Sequence, residues 1–263
     1  MSLLSWIIIF SLFGGALSVM AASAFLLLKE TTRARLLPHF VSFAIGAMLG
    51  AALLGLLPHA LEGAGPEGAH GVSLALLLGL LGFFLLEKMV LWRHCHTAHC
   101  EAHDPEPRSH QHHAPAGTLI IIGDSIHNFV DGVLIAAAFL TDVHLGVVTA
   151  LAVAAHESPQ EVGDFAILLH SGFSRGRALF FNMLSTLTTV IGGVLAYYSL
   201  QGVQQMLPYI LAVAASSFLY IAVADLIPNL HKRAEISDTA KQVTLIGLGV
   251  MLIYVSHIFL GNV

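Results

Sequence analysis

The stretch "IGDSIHNFVDGVLIAAAF", residues 122–139, is apolar enough to live in lipid, yet it carries Asp124, His127, Asn128 and Asp131. On an α-helix each residue advances by about 100°, so those side chains fall within about 60° on either side of Asp124 and share one face. Ionisable groups at mid-membrane are costly and mark functional sites by default.

Composition supports the membrane setting. Of 263 residues, 56% are hydrophobic and only 10% are charged, against about 25% charged in an average soluble domain. Eight apolar runs follow one another, at about 3–28, 37–61, 71–92, 118–140, 145–169, 176–199, 207–228 and 241–260. Runs of about 20 residues match the hydrocarbon thickness. The expectation is an all-α polytopic membrane protein with eight transmembrane helices. The first run competes with a cleaved signal peptide, but no basic residue precedes it and it exceeds the usual 7–15 apolar residues. Lys29, Arg33 and Arg35 follow it, as suits a retained helix.

Orientation follows from the basic residues. All eleven Lys and Arg lie in or beside the first, third, fifth and seventh loops. By the positive-inside rule those loops are cytoplasmic, so both termini face outward. A net charge of −5 says little, because the placement of charge matters more than its sum. No nucleic-acid partner is expected; the lipid bilayer is.

A second polar stripe stands in "AAHESPQEVGDFAILLH", residues 154–170. His156, Glu157, Gln160, Glu161 and Asp164 span an arc of about 140°, and Pro159 removes a backbone donor, freeing a carbonyl beside them. Two such stripes must face each other or water. They could simply glue the helices together, but so many acids with no Lys or Arg in either run call for a counter-charge. A divalent cation supplies it, and His, carboxylate and amide oxygens are its ligand types.

"HNFVDG", followed 29 residues later by "HESPQEVGD", resembles the paired signature of the ZIP family of metal-ion transporters, LIV-1-like branch. "GDSIHNF", "FFLLEK" (83–88) and "LPHALE" (57–62) are similar to that family too. The resemblance runs from about residue 10 to the C-terminus. Gln160 departs from it: the LIV-1 branch has His there and other branches Glu, whereas Gln ligates only through a neutral carbonyl oxygen. The resemblance, with the spacing, implies one metal position at His127, His156 and Gln160 and a neighbouring one at Asn128 and Glu157. Asp131 would serve either and Glu161 would support the second; Asp124 and Asp164 are supporting or pathway residues. It implies Zn²⁺ as substrate (or Fe²⁺, Mn²⁺ or Cd²⁺), movement into the cytoplasm, no organic cofactor, a homodimer, and the plasma (inner) membrane if the chain is bacterial.

Short repeats point to a transporter separately. "LLPHAL" (56–61) echoes "LIPNLH" (226–231), and "FGGAL" (13–17) echoes "IGGVL" (191–195), each pair crossing in opposite directions. Inverted repeats around a midplane site are a transporter signature. The expected layout is 3+2+3: helices 1–3 in 1–92, a cytoplasmic loop at 93–117, central metal-binding helices 4–5 in 118–169, and helices 6–8 in 170–263.

That loop holds seven of the sixteen histidines and both cysteines. His94, Cys95, His96, His99, Cys100 and His103 have spacings suited to metal capture or sensing; the bland alternative is a solvated segment. His59 is either part of the access route or an interfacial residue. Asp225 either approaches the transport site or pairs at the interface, and Glu87 is expected to pair with Lys88 at a helix end. His170 and His231 suit inner helix ends. Two other functions compete: a metal exporter, and a membrane-embedded metallohydrolase. For the hydrolase, "HESPQE" lacks the second histidine of HExxH, because Gln160 stands there; the chain is expected not to be an enzyme.

Overall fold

In the computed structural model, residues 2–94, 114–231 and 236–260 are described. They form helices and tight connections, with no strand among them. The helices are α1 (Leu3–Leu26), α2 (Glu30–Gly50), α3 (Leu57–His94), α4 (Ala114–Thr141), α5 (Val143–His170), α6 (Arg175–Leu200), α7 (Leu207–Tyr220), α8 (Ile227–Leu230) and α9 (Ile236–Leu260). Two wider-wound segments interrupt them: π1 (Ala51–Leu56) joins α2 to α3, and π2 (Ile221–Leu226) joins α7 to α8. Ser2, Asp142 and Ser174 cap α1, α5 and α6 by accepting backbone N–H groups. Asp142 alone separates α4 from α5, which keeps the two polar stripes on neighbouring helices.

Six stretches of the described residues are long and apolar enough to cross a membrane, and one of them, Glu30–Met89, has 60 residues. A straight helix of that length would span about 90 Å, three times the hydrocarbon thickness. It breaks at Gly65, whose φ of 65° is left-handed and whose neighbour Pro66 starts the next helical turn. Beyond the break the chain folds back: Leu37 and Val41 from α2 and Phe83 and Leu86 from the far end of α3 line the same cavity. The loop expected at 62–70 is therefore helical except at Gly65, because one left-handed glycine suffices for the reversal.

The long helices pack in parallel pairs. Gly14 and Ser18 of α1 meet Ala150 and Ala154 of α5. Gly46 and Gly50 of α2 meet Ile246 and Ile253 of α9, and Gly63 and Gly79 of α3 meet Pro208 and Ser216 of α7. Contact between α4 and α6 is closest. A Cβ on Gly132 would collide with the Thr189 carbonyl, and one on Gly192 with that of Phe129. Large apolar side chains such as Leu78, Leu85, Phe180, Leu195 and Met251 point outward, as a lipid-facing surface requires.

Candidate metal centre

The polar stripes of α4 and α5 face each other. His127 Nε2 lies 3.3 Å from His156 Nε2, 3.6 Å from Asp131 Oδ2 and 3.6 Å from Glu157 Oε1. His156 Nε2 is 3.2 Å from Asp131 Oδ2 and 3.9 Å from Glu157 Oε1. Ligands held tetrahedrally at about 2.0–2.1 Å from one ion stand about 3.3 Å from each other, so these separations are close to those a cation's ligand shell would have. His156 is oriented by its own helix: Nδ1 is 3.1 Å from the Ala152 carbonyl. As Nδ1–H donates there, the Nε2 lone pair is turned to the cluster, in the form a metal takes.

A second group adjoins the first through Glu157. Asp124, Glu157 and Glu161 each bring a carboxylate oxygen within 4.8 Å of the others, and all three are buried. Asp131 Oδ1 and both oxygens of Glu157 receive no hydrogen bond among the described residues, and Glu161 has only the Asn182 side-chain amide beside it. Buried carboxylates without donors are costly, and a divalent cation would supply the missing counter-charge.

The other candidate residues stand around this cluster or beyond it. Gln160, expected beside the two histidines, has its amide nitrogen 3.5 Å from Asp124 Oδ1 and lines the cavity. Asn128 donates from Nδ2 to Asp124 Oδ1 at 3.0 Å and accepts at Oδ1 from Thr189. Asp164 and Asp225 line the cavity. His59 is neither in the cluster nor among the residues lining the cavity, and its Nδ1 is 2.9 Å from the Gly55 carbonyl. Glu87 does not depend on Lys88: it accepts a hydrogen bond from the Tyr220 hydroxyl, while Lys88 lies over the Phe84 ring. The Glu87 carboxylate turns inward because the cavity gives it a polar partner that the lipid side lacks. His94 ends α3, and Cys95, His96, His99, Cys100 and His103 lie outside the described residues.

A cavity of about 860 Å³ reaches His127 and His156 and is lined along its length by Gln160, Asp164, Glu87, Tyr220 and Asp225. Ala34, between Arg33 and Arg35, and Glu87, beside Lys88, also line it, so it lies toward the end rich in basic residues. On the other side, Leu56, Phe139, Leu145, Leu211 and Phe218 pack into one dry core, and the Phe218 ring stands edge-on to His156 at 5.8 Å.

The ZIP Zinc transporter family model matches residues 2–117 and 93–257, two overlapping stretches that cover nearly the whole chain. The chain belongs to the ZIP zinc transporter family. It is 31% identical to mouse zinc transporter ZIP13, over 89% of this chain and 73% of that protein. Human zinc transporter ZIP4 is 33% identical, over 75% of this chain and 39% of its own length. The bovine metal cation symporter ZIP14 is 37% identical over 54% of this chain and 31% of its own length. These relatives belong to the LIV-1 branch, as the paired motif indicated. The protein is thus an integral membrane transporter rather than an enzyme, and membership implies zinc as the transported substrate.

Reading α4 and α5 alone missed a polar stripe on α6. Asn182, Ser185, Thr186 and Thr189 are buried at helical spacing. That i, i+3, i+4, i+7 pattern within an apolar run was a usable signal.

Proposed function

We propose that the chain carries zinc, or a similar divalent ion, into the cytoplasm through a midplane site on α4 and α5. His127, Asp131, His156 and Glu157 form the first position. Asp124, Glu157 and Glu161 form an adjacent one, with Asn128, Gln160 and Asp164 around them. The observation that carries this reading is the convergence of two imidazoles and two carboxylates at ligand-shell distances, at the head of a one-sided cavity. Two nitrogens with two oxygens suit zinc and also admit Fe²⁺, Mn²⁺ or Cd²⁺. By the positive-inside rule the cavity opens to the cytoplasm. The dry core on the other side supports a carrier that exposes its site to one side at a time; inward direction rests on the family resemblance.

Eight spans in a 3+2+3 inverted repeat belong to the same proposal. The fold-back at Gly65 divides Glu30–Met89 into two spans, and α5 is long enough to be another although its acids lower its apolarity. Each packed pair (α1 with α5, α2 with α9, α3 with α7, α4 with α6) runs parallel, as alternation of eight crossings requires. A homodimer in the plasma (inner) membrane, if the source is bacterial, completes it. Uptake of radioactive zinc, iron, manganese and cadmium into proteoliposomes holding the purified protein tests the proposal. Zinc accumulation above empty liposomes is expected; its absence for every metal would refute it.

A further inference from the structure

The buried hydroxyls of α6 are not used alike. Ser185 donates to the Asn182 carbonyl and Thr186 to that of Met183, both within α6, and the Ser185 hydroxyl also meets the Asp124 carboxylate. Thr188 donates to backbone carbonyls of Ser185 and Ser125. Such bonds to backbone are the ordinary fate of a helical Ser or Thr. Thr189 differs. Its hydroxyl donates to a side chain on another helix, Asn128 Oδ1, at 2.8 Å, and both residues are buried.

A primary amide has an acceptor end and a donor end, so fixing one fixes the other. With Oδ1 held by Thr189, Asn128 Nδ2 must face Asp124, where it lies 3.0 Å from Oδ1 and 3.1 Å from the backbone carbonyl. A flipped amide would set its oxygen against those two acceptors. Gln160 brings a second amide nitrogen to the same Asp124 oxygen, at 3.5 Å. Two amide nitrogens thus meet Asp124 Oδ1, and the Ser185 hydroxyl is a further partner of that carboxylate, beside Glu157 and Glu161. Close approach of α4 and α6 at Gly132 and Gly192 keeps Thr189 in register with Asn128.

We propose that Thr189 is a positioning residue for transport: its hydroxyl sets the Asn128 amide, which holds the Asp124 carboxylate in the second cation position. This rests on the reading of α4 and α5 as the transport site. It makes Asn128 a connector whose donor end serves Asp124.

The test is zinc uptake in proteoliposomes at matched protein amounts. Thr189→Val keeps the shape and removes the donor. Loss of one buried hydrogen bond that shapes the site should raise the KM for zinc by about three- to tenfold. Thr189→Ser should stay within about twofold of wild type, because the donor remains. Thr188→Val removes an α4–α6 bond that does not reach Asn128 and should leave KM unchanged, which separates positioning from helix packing. In an Asn128→Ala background, Thr189→Val should add nothing further, as in a double-mutant cycle. Should Thr189→Val fail to fold, Thr189→Ala is used for the same comparisons. A wild-type KM in the donor-less variant, or an equal added effect in the Asn128→Ala background, would overturn the proposal. Absence of uptake by the wild type would refute the transport reading instead.

Discussion

The two π segments have the same local build and different surroundings. Each spans six residues and immediately precedes a Leu-Pro or Ile-Pro step, at Pro58 and Pro228. In each, the closing N–H reaches back five residues, Leu57 to the Ala52 carbonyl and Ile227 to that of Ala222. Yet Ala51, Ala52, Gly55 and Leu56 of π1 are buried, whereas only Ala222 of π2 is. Gly55 sits against Leu145 of α5, while Asp225 faces the cavity. In the proposed 3+2+3 repeat these are matching segments, one sealed and one open, as a carrier that exposes its site to one side at a time would present them. π-type interruptions are uncommon and concentrate at functional sites. The difference therefore lies in what packs around each segment rather than in its winding.

The site between the two segments gives the most severe test. Replacing His127 or His156 by Ala removes one of the four side chains that converge at the proposed site. Uptake should fall by about 100-fold or more, since even outer partners of a ligand cost 10–100-fold. Near wild-type uptake by a well-expressed variant would separate the site from transport and leave the π segments without a shared function. Because zinc must displace protons from its ligands, wild-type KM should rise as pH falls.

Much of that site was legible in sequence, for a physical reason. Polar groups in lipid must share a face, so the 100° step alone assembled Asp124, His127, Asn128 and Asp131 on α4, and His156 to Asp164 on α5. The division of ligands was less legible. The resemblance with the spacing placed Gln160 with the histidines, whose cavity it shares; its amide also reaches toward Asp124, because helical period does not specify rotamers. Thr189 escaped because a hydroxyl can bond its own helix, so its sequence position does not reveal which partner it takes. The repeat "LLPHAL"/"LIPNLH" was visible as letters; the π winding before each proline was not, since it depends on how the neighbouring helices pack. Gly65 was hidden in the opposite way: the Gly-Pro-rich stretch read as a loop, yet its remaining residues pack as helix.

Accessibility sharpens the comparison directly. With Cys95 and Cys100 replaced by Ser, single cysteines at Gly55 and Asp225 can be labelled by a membrane-impermeant thiol reagent applied from each side. Asp225→Cys should react from the cytoplasmic side about tenfold faster than Gly55→Cys reacts from the outside. A sealed position labels only in the fraction of molecules that have opened. Equal rates would mean that the two segments do not report opposite states. A smaller shift is expected from Gly55→Leu, because a Cβ there already lies 3.3 Å from Leu145 Cδ1. Overpacking costs about 1–3 kcal/mol, which weakens the sealed outer side. Labelling of His59→Cys from outside should then rise about fivefold or more; no change would mean that Gly55 does not contribute to the seal.

The smallest expected effect on maximal uptake lies beyond the open side. Glu87 lines the cavity and His94 ends the same helix about two turns later. Deleting residues 94–113 removes those ligands and none of the membrane-embedded ones. Maximal uptake should therefore remain within about twofold of wild type, whereas its dependence on internal zinc should change, since His and Cys side chains on the cytoplasmic side can receive the ion or slow its release. Its imidazoles and thiols must lose protons to bind metal, so the loop's contribution should weaken in acid. Complete loss of uptake in a folded deletion variant would place the loop within the pathway. Identical kinetics at every internal zinc level and pH would remove it from transport, leaving the contrast between π1 and π2 to be explained by the helices alone.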